Sequence, residues 1–342
     1  MITQTGVLLV NLGTPDSPSV PDVRKYLREF LMDGRVIDIP ALPRTLLVNG
    51  IIAPFRAPKS AKIYKELWTA EGSPLKIFGL SNEKELQKKL GDKYLVKLAM
   101  RYQSPSIKDQ LAEFKTSGIK ELIIIPLFPQ YASATSGSIY QKVMEIIGKW
   151  QIIPQLKFIN YFYQYPKLIE GFAQNARKMM QEYDYEHFIF SYHGLPERQI
   201  RKGDDHKVCK LGECCGSITP KNQFCYRAQC FETTRLLVKA LNIPEGKYTT
   251  CFQSRLGRDP WIKPYSEDTV KKLTKEGIKS ILAFSPAFVS DCLETTIEVG
   301  EEYKELFEEN GGQHWDLVPS LNDSSIWIDL LEEIVLEHSN QN

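Results

Sequence analysis

The chain has 342 residues, 42% hydrophobic and 25% charged, with a formal net charge of +1. This is an ordinary composition for a soluble globular protein of about two domains. Charges of both signs are mixed along the chain, so neither a nucleic-acid partner nor an acidic tail is expected. No window approaches the roughly 18 consecutive apolar residues of a spanning helix. Residues 1–5 carry neither a basic leader nor a small-residue cleavage site, so the expected location is the cytoplasm. Seven cysteines are too few for a disulfide scaffold in a chain this long.

In chain order, residues 6–13 form a continuous apolar run, as a strand buried on both faces requires. Residues 19–31 follow with helical spacing, and the turn between them lacks a full GxGxxG, which argues against a dinucleotide site. Residues 30–55 are strongly apolar yet broken by prolines, which suit neither a central strand nor a long helix. They read as a core-packing connection, with an apolar lip around a cavity or a membrane-resting surface as the alternative. Helices are expected over 56–68, over 81–90 with Ser81 as N-cap, and over 106–117. Strands are expected at 94–100 and 121–128. A polar loop at 129–138, a helix to about 150 and a strand at 156–161 complete the first half.

The second half repeats the plan. Helices are expected at 166–182, 227–241, 266–276, 292–309 and 324–336, and strands at 187–192, 248–253, 279–285 and 314–318. Strands alternating with helices predict an α/β fold of two similar Rossmann-like, doubly wound domains, each with a four-stranded parallel sheet. The expected domains are 1–162, carrying the lip at 30–55, and 163–322, carrying a cysteine-rich insertion at 205–230. The closing helix, 323–342, is expected to pack back on the first domain.

In such sheets ligands bind at the C-terminal ends of the strands. The residues expected there are Asn11, Arg101, Tyr131, Ser133, Ser136, His193, Gln253 and Ser254. The run into Ser191-Tyr192-His193-Gly194-Leu195-Pro196 delivers one histidine to that edge, although a histidine capping a strand is the blander reading. Glu294, Glu298 and Glu302 recur at four-residue spacing and make one acidic stripe on a helix, either an exposed face or a carboxylate route toward His193. An imidazole with a carboxylate suits Fe(II), Zn(II) or Mn(II). Five of the seven cysteines, Cys209, Cys214, Cys215, Cys225 and Cys230, fall within 22 positions. Four thiolates can hold zinc or an iron–sulfur cluster; reactive surface thiols are the alternative.

Several motifs together resemble the ferrochelatases. They are Asn11-Leu12-Gly13-Thr14-Pro15, Gly72-Ser73-Pro74, Pro129-Gln130-Tyr131, the His193 motif, Gln253-Ser254-Arg255 with Pro260-Trp261, and Ser290-Asp291-Cys292-Leu293-Glu294-Thr295. The resemblance implies a lyase that inserts Fe(II) into protoporphyrin IX, the last step of haem synthesis, with the porphyrin in a cleft between the domains. It places the catalytic pair on His193 and Glu294; the acidic stripe itself puts Glu298 beside them as a further candidate for the substrate iron. It places porphyrin contacts on Asn11, Leu12, Arg56, Lys59, Ser73, Arg101, Tyr131, Trp261 and Phe288. The lip at 30–55 then suggests a peripheral contact with the inner face of a membrane. Many relatives carry histidine at the position of Cys292. The cysteine insertion is similar to one in a subset of bacterial relatives, which implies a 2Fe–2S cluster on four of the five thiols, with zinc as the alternative. No oligomeric state follows.

Two pyrrole protons must leave as a metal enters a porphyrin, and histidine is the side chain suited to accept them near neutrality. On that reading His193 is the proton acceptor, and the carboxylate stripe passes metal or protons. The opposite assignment, His193 and Glu294 as joint iron ligands, stays open. The alternative functions are a chelatase for another metal or tetrapyrrole, such as cobalt or coproporphyrin, and a non-catalytic haem or iron sensor.

Overall fold

The computed structural model describes residues 5–255, 257 and 259–339. The expectations for residues 1–4 and for 340–342 of the closing segment therefore lie outside the described residues. The described chain forms two compact units. One takes the residues up to Phe128 with Ser133–Asn160 and those from Asp323 on; the other takes Pro129–Ala132 and Tyr161–Asn322.

The first unit runs β1 (Thr5–Asn11), α1 (Val20–Leu31), α2 (Ala41–Leu47), α3 (Ala53–Leu67), α4 (Pro74–Leu90), β2 (Tyr94–Met100), α5 (Ile107–Ser117), β3 (Glu121–Pro126), α6 (Ser138–Ile147) and β4 (Gln155–Phe158). Its sheet is parallel throughout in the order β2-β1-β3-β4. β1 and β3 are buried almost end to end because helices cover both faces. Gly6 allows the tight packing: a Cβ there would meet Phe114, Ile119 and Leu122 at 2.8–2.9 Å. Ser19 caps α1 by accepting from Asp22 N, and Ser106 does the same for α5.

The second unit runs α7 (Pro166–Glu182), β5 (His187–His193), α8 (Glu197–Lys202), α9 (Tyr226–Leu241), β6 (Tyr248–Gln253), α10 (Ser266–Lys275), β7 (Ser280–Phe284), α11 (Tyr303–Glu309) and β8 (His314–Leu317). Its sheet order, β6-β5-β7-β8, repeats the first. Both sheets are doubly wound, and in each the chain reverses its winding direction beside the first strand. Ligand crevices open at the strand C-termini at such switch points, here β1/β3 and β5/β7. The last helix, α12 (Ser325–His338), belongs to the first unit, where Lys89 of α4 pairs with Asp329 and Glu332.

Three local expectations are corrected. The proline-broken stretch does hold a long helical run, from residue 41 on: α2, a π-helical turn at Val48–Ile52 and α3 follow one another without a break. Pro54 lies in the first turn of α3, where its missing N–H costs little, and the π turn before it has already shifted the bonding register. Ser81 is not an N-cap. Ser73 occupies that position with Pro74 at the first helical residue, and the Ser81 hydroxyl donates to Asp323 at 2.8 Å. The helix at 292–309 opens as a ten-residue π-helix, Leu293–Glu302, before α11.

Candidate active site

In the second unit β5 ends at His193, in register with Gln253 at the end of β6. Gly194 N donates to the Gln253 carbonyl at 2.9 Å. A Cβ at Gly194 would meet that same carbonyl at 2.7 Å and the Trp261 ring at 3.0 Å, so only glycine fits this turn. Ile262 N donates to Leu195 O and Glu197 N to Pro260 O, which ties the histidine loop to the Trp261 segment. The His193 and Trp261 rings lie 6.4 Å apart. His193 is half-buried, and its Nδ1 lies 2.7 Å from the Gly194 carbonyl. A carbonyl can only accept, so Nδ1 carries the proton and Nε2 of the neutral ring is a bare lone pair.

The chain leaves β7 and reaches the π-helix through a buried turn in which Phe288 N bonds Ser285 O. Gln253 is the hub that fixes this helix to the sheet edge. Its amide accepts from Ser191 Oγ at 2.8 Å and donates to the Glu294 carbonyl and to Glu298 Oε2, both at 2.9 Å. Glu298 also takes Ser254 N at 2.7 Å, Ser254 Oγ at 2.5 Å and Tyr303 OH at 3.2 Å. Ser254 aims both donors from the left-handed region, at φ 62°. Four chain donors thus serve Glu298, whereas among the described residues the Glu294 carboxylate meets the buried Cys292 thiol. Burial and the Glu294 charge hold that thiol far above its ordinary pKa, so it stays protonated.

Tyr131 packs its ring on Phe224 at 5.7 Å and accepts no freedom at its backbone, where its N–H donates to Gln229 Oε1 at 2.7 Å. The thiol segment is held by polar side chains. Asp204 accepts from Val208 N and Cys209 N, Asn222 donates to Cys214 O, and Arg235 donates to Cys215 O. Its thiols meet in two pairs. Cys209 faces Cys214, and burial first, with that neighbour, raises the Cys209 thiol. Cys215 donates to Cys225, which holds the Cys225 thiol below its ordinary value. Cys230 is sealed at 0% exposure beside Tyr226. Among the described residues no three or more His, Cys, Asp or Glu side chains already close a metal cage.

In the first unit Asn11 ends β1 at 3% exposure, with Leu12 after it, and its Nδ2 has no partner among the described residues. Thr14 Oγ1 donates to the buried Ser73 hydroxyl at 3.0 Å. Arg101 is committed to a buried network. Its guanidinium bonds Asp33 at 2.7 Å and the Ser138 hydroxyl at 2.8 Å, and Tyr102 OH also bonds Asp33. Burial pushes the Asp33 carboxyl up, but hydrogen bonds from Ser138 and Arg35 N and the Arg101 charge outweigh it, and its pKa lies below the ordinary value. Arg56 and Lys59 lie exposed on α3. Beside them Leu42, Leu46, Ile51 and Phe55 are 58–73% exposed, and no residue of α2 is buried.

Sequence reasoning named Gln253 and Ser254 as strand-end residues but gave them no task, and it passed over Ser191, Tyr226 and Tyr303. The signal for Gln253 was present: a buried amide at a strand end needs partners for both of its ends.

Two such parallel four-stranded sheets make a Rossmann-like α/β architecture. The chain is similar to the solved structure of SirB from Bacillus subtilis with Fe3+, at a TM-score of 0.53 and 11% identity, covering 98% of this chain and 95% of that one. It is also similar to CbiX, the terminal enzyme for biosynthesis of sirohaem in denitrifying bacteria, at a TM-score of 0.50 and 10% identity, covering 98% and 100%. These likenesses concern the fold. A family model described as ferrochelatase matches residues 4–339. Ferrochelatases of Legionella pneumophila (strain Lens) and Coxiella burnetii (strain Dugway 5J108-111) are 47% and 41% identical. The alignments cover 97% and 96% of this chain and 98% and 92% of those proteins. The chain belongs to the ferrochelatase family. It is an enzyme, a lyase that inserts iron into a porphyrin for haem synthesis, and the alternative functions read from the sequence are not favoured.

Proposed function

We propose that His193 accepts the pyrrole protons of protoporphyrin IX at Nε2, and that Glu294 guides Fe(II) to the ring as those protons leave. The observation that carries this is the Nδ1–H bond to Gly194 O, which leaves Nε2 as the open acceptor at the strand end. Among the described residues Glu294 meets the Cys292 thiol, and its carboxylate has coordination capacity to spare. Glu298 does not: as an iron ligand it would first release a donor among Gln253, Ser254 and Tyr303, so we assign it to holding the π-helix. Asn11, Leu12, Arg56, Lys59, Ser73, Arg101, Tyr131, Trp261 and Phe288 are assigned to the porphyrin. Arg56 and Lys59 supply charge for propionates. Arg101 acts through the shape of its edge, since its guanidinium is occupied by Asp33.

The thiols suit a resident 2Fe–2S cluster, with zinc as the alternative, held by Cys209, Cys214, Cys215 and Cys225. The chemistry supporting this is the pairwise approach of these four, with a depressed Cys225 thiol as the first to ionise. Such a group would supply a cross-link for the segment and no electrons, because the iron enters and stays as Fe(II). The exposed apolar side chains of α2 and α3, next to basic residues, suit a peripheral contact with an anionic bilayer on the cytoplasmic side.

The test of the catalytic reading is His193→Ala. It should still quench porphyrin fluorescence on binding yet lose insertion of both Fe(II) and Zn(II), by on the order of 10²- to 10⁴-fold, the range of general-base catalysis. Near-normal zinc insertion overturns it.

A further inference from the structure

The peptide between His193 and Gly194 is held at both of its polar atoms. Its N–H donates to Gln253 O at 2.9 Å, a bond that continues the β5–β6 ladder. Its carbonyl, His193 O, accepts the Tyr226 hydroxyl at 2.8 Å. Tyr226 comes from a different part of the chain. It is the first residue of α9, between Cys225 and Cys230, and it is 7% exposed. The next carbonyl along the loop, Gly194 O, takes the His193 Nδ1 proton at 2.7 Å. The direction of that carbonyl depends on the peptide before it. Gly194 lacks the side chain that would restrict rotation there, so an unpinned His193 carbonyl could turn and carry Gly194 O away from Nδ1. A carbonyl can only accept, so in the pair with His193 O the Tyr226 hydroxyl is the donor.

We infer that Tyr226 is a positioning residue: its hydroxyl holds the His193–Gly194 peptide so that Nδ1 keeps the ring proton and Nε2 stays the free lone pair. The thiol-bearing segment thereby sets the histidine directly. Gln229, one turn further along α9, extends the same device to Tyr131. Its Oε1 accepts from Tyr131 N at 2.7 Å and its Nε2 donates to Gln223 O at 2.5 Å, inside the thiol segment. One short stretch of chain therefore braces both loops. The inference rests on the proposed role of His193 Nε2.

The experiment is Tyr226→Phe in the full chain, which removes one oxygen and keeps the ring. Tyr185→Phe is the matched control. Tyr185 is also buried and also donates its hydroxyl, to Asp316, but it lies before the start of β5, at the opposite end from His193. Two quantities are read: the ring-nitrogen ¹⁵N shifts of His193, assigned by difference with His193→Ala, and kcat and KM for zinc insertion. In the parent, Nδ1 is expected as the protonated nitrogen. In Tyr226→Phe a mixture of tautomers is expected, with kcat lowered roughly five- to thirtyfold, the size of effect one lost buried hydrogen bond supports. KM for the porphyrin should stay within about twofold, since no porphyrin contact is removed. Tyr185→Phe should change neither quantity. An unchanged Nδ1–H tautomer in Tyr226→Phe overturns the inference. A shifted tautomer with unchanged kcat upholds the positioning and removes His193 from the proton path, so the two readings fail separately.

Discussion

Gln253 shows how much one amide can settle. It ties Ser191 of β5, the Glu294 carbonyl in the first turn of the π-helix and the Glu298 carboxylate to one point at the end of β6. Gln253→Met keeps the shape and removes every one of these bonds. Bonds to charged groups are worth more than neutral ones, so a loss of roughly 2–4 kcal/mol in unfolding free energy is expected by urea denaturation, with reduced zinc insertion. A variant within about 0.5 kcal/mol of the parent contradicts the hub role. His187, at the other end of β5, makes a pH prediction. It is buried against Thr249, and burial lowers its pKa from 6.5 to about 4. The folded state thus refuses a proton that the unfolded chain binds. The stability from the neutral ring is complete above about pH 6.5 and is lost as pH falls toward about 4. Up to roughly 2 kcal/mol should disappear between pH 6.5 and 5, and His187→Gln should flatten that slope in urea midpoints. At this scale His193 and Glu294 were legible because their neighbours in sequence stop a strand and start a helix. The Gln253 clamp was not, because its partners lie 41 and 45 residues away along the chain.

Elements were legible where periodicity is strong. The buried runs at β1, β3, β5 and β7 fall within a residue or two of their expected bounds, since burial on both faces leaves a continuous apolar signature. The π-helices were not legible. A four-residue spacing of Glu294, Glu298 and Glu302 fits an α-helix and a π-helix almost equally well, and what selects the wider turn is the demand of Gln253 and Ser254 on Glu298. The α2–α3 stretch hides its helices for a related reason: Pro43 and Pro54 fall in first turns, which tolerate them, while Pro58 sits inside α3. The thiol segment was legible as a unit, but the sorting of its thiols needed the fold. Cys225→Ser should bleach the visible absorption of protein purified anaerobically and lower its iron and sulfide content, whereas Cys230→Ser should keep both. Equal loss in the two variants contradicts the assignment of ligands to Cys209, Cys214, Cys215 and Cys225.

On the scale of the whole chain, the repeat of strand and helix was enough to give two parallel sheets, and the two share one strand order. The lip could not be judged from sequence, because apolar residues that pack a core and apolar residues that face outward look alike there. Leu42 and Phe55, each 73% exposed, lie on helices in which Arg44, Arg56, Lys59, Lys62 and Lys65 face a single acid, Glu66, across 41–67. Replacing both apolar residues by aspartate removes roughly 3 kcal/mol or more of interfacial burial. Sedimentation with anionic phospholipid vesicles should then weaken by about 10²-fold or more. Binding unchanged by the double substitution contradicts a membrane-facing lip.

The claim on which the rest depends is that His193 accepts a proton rather than only holding a metal. The measurement that tests it most directly is zinc insertion by His193→Ala in a series of substituted imidazoles of graded basicity. Without imidazole the rate should fall by on the order of 10²-fold or more, and added imidazoles should restore it in proportion to their basicity. Zinc insertion near the parent rate with no imidazole present would contradict the account.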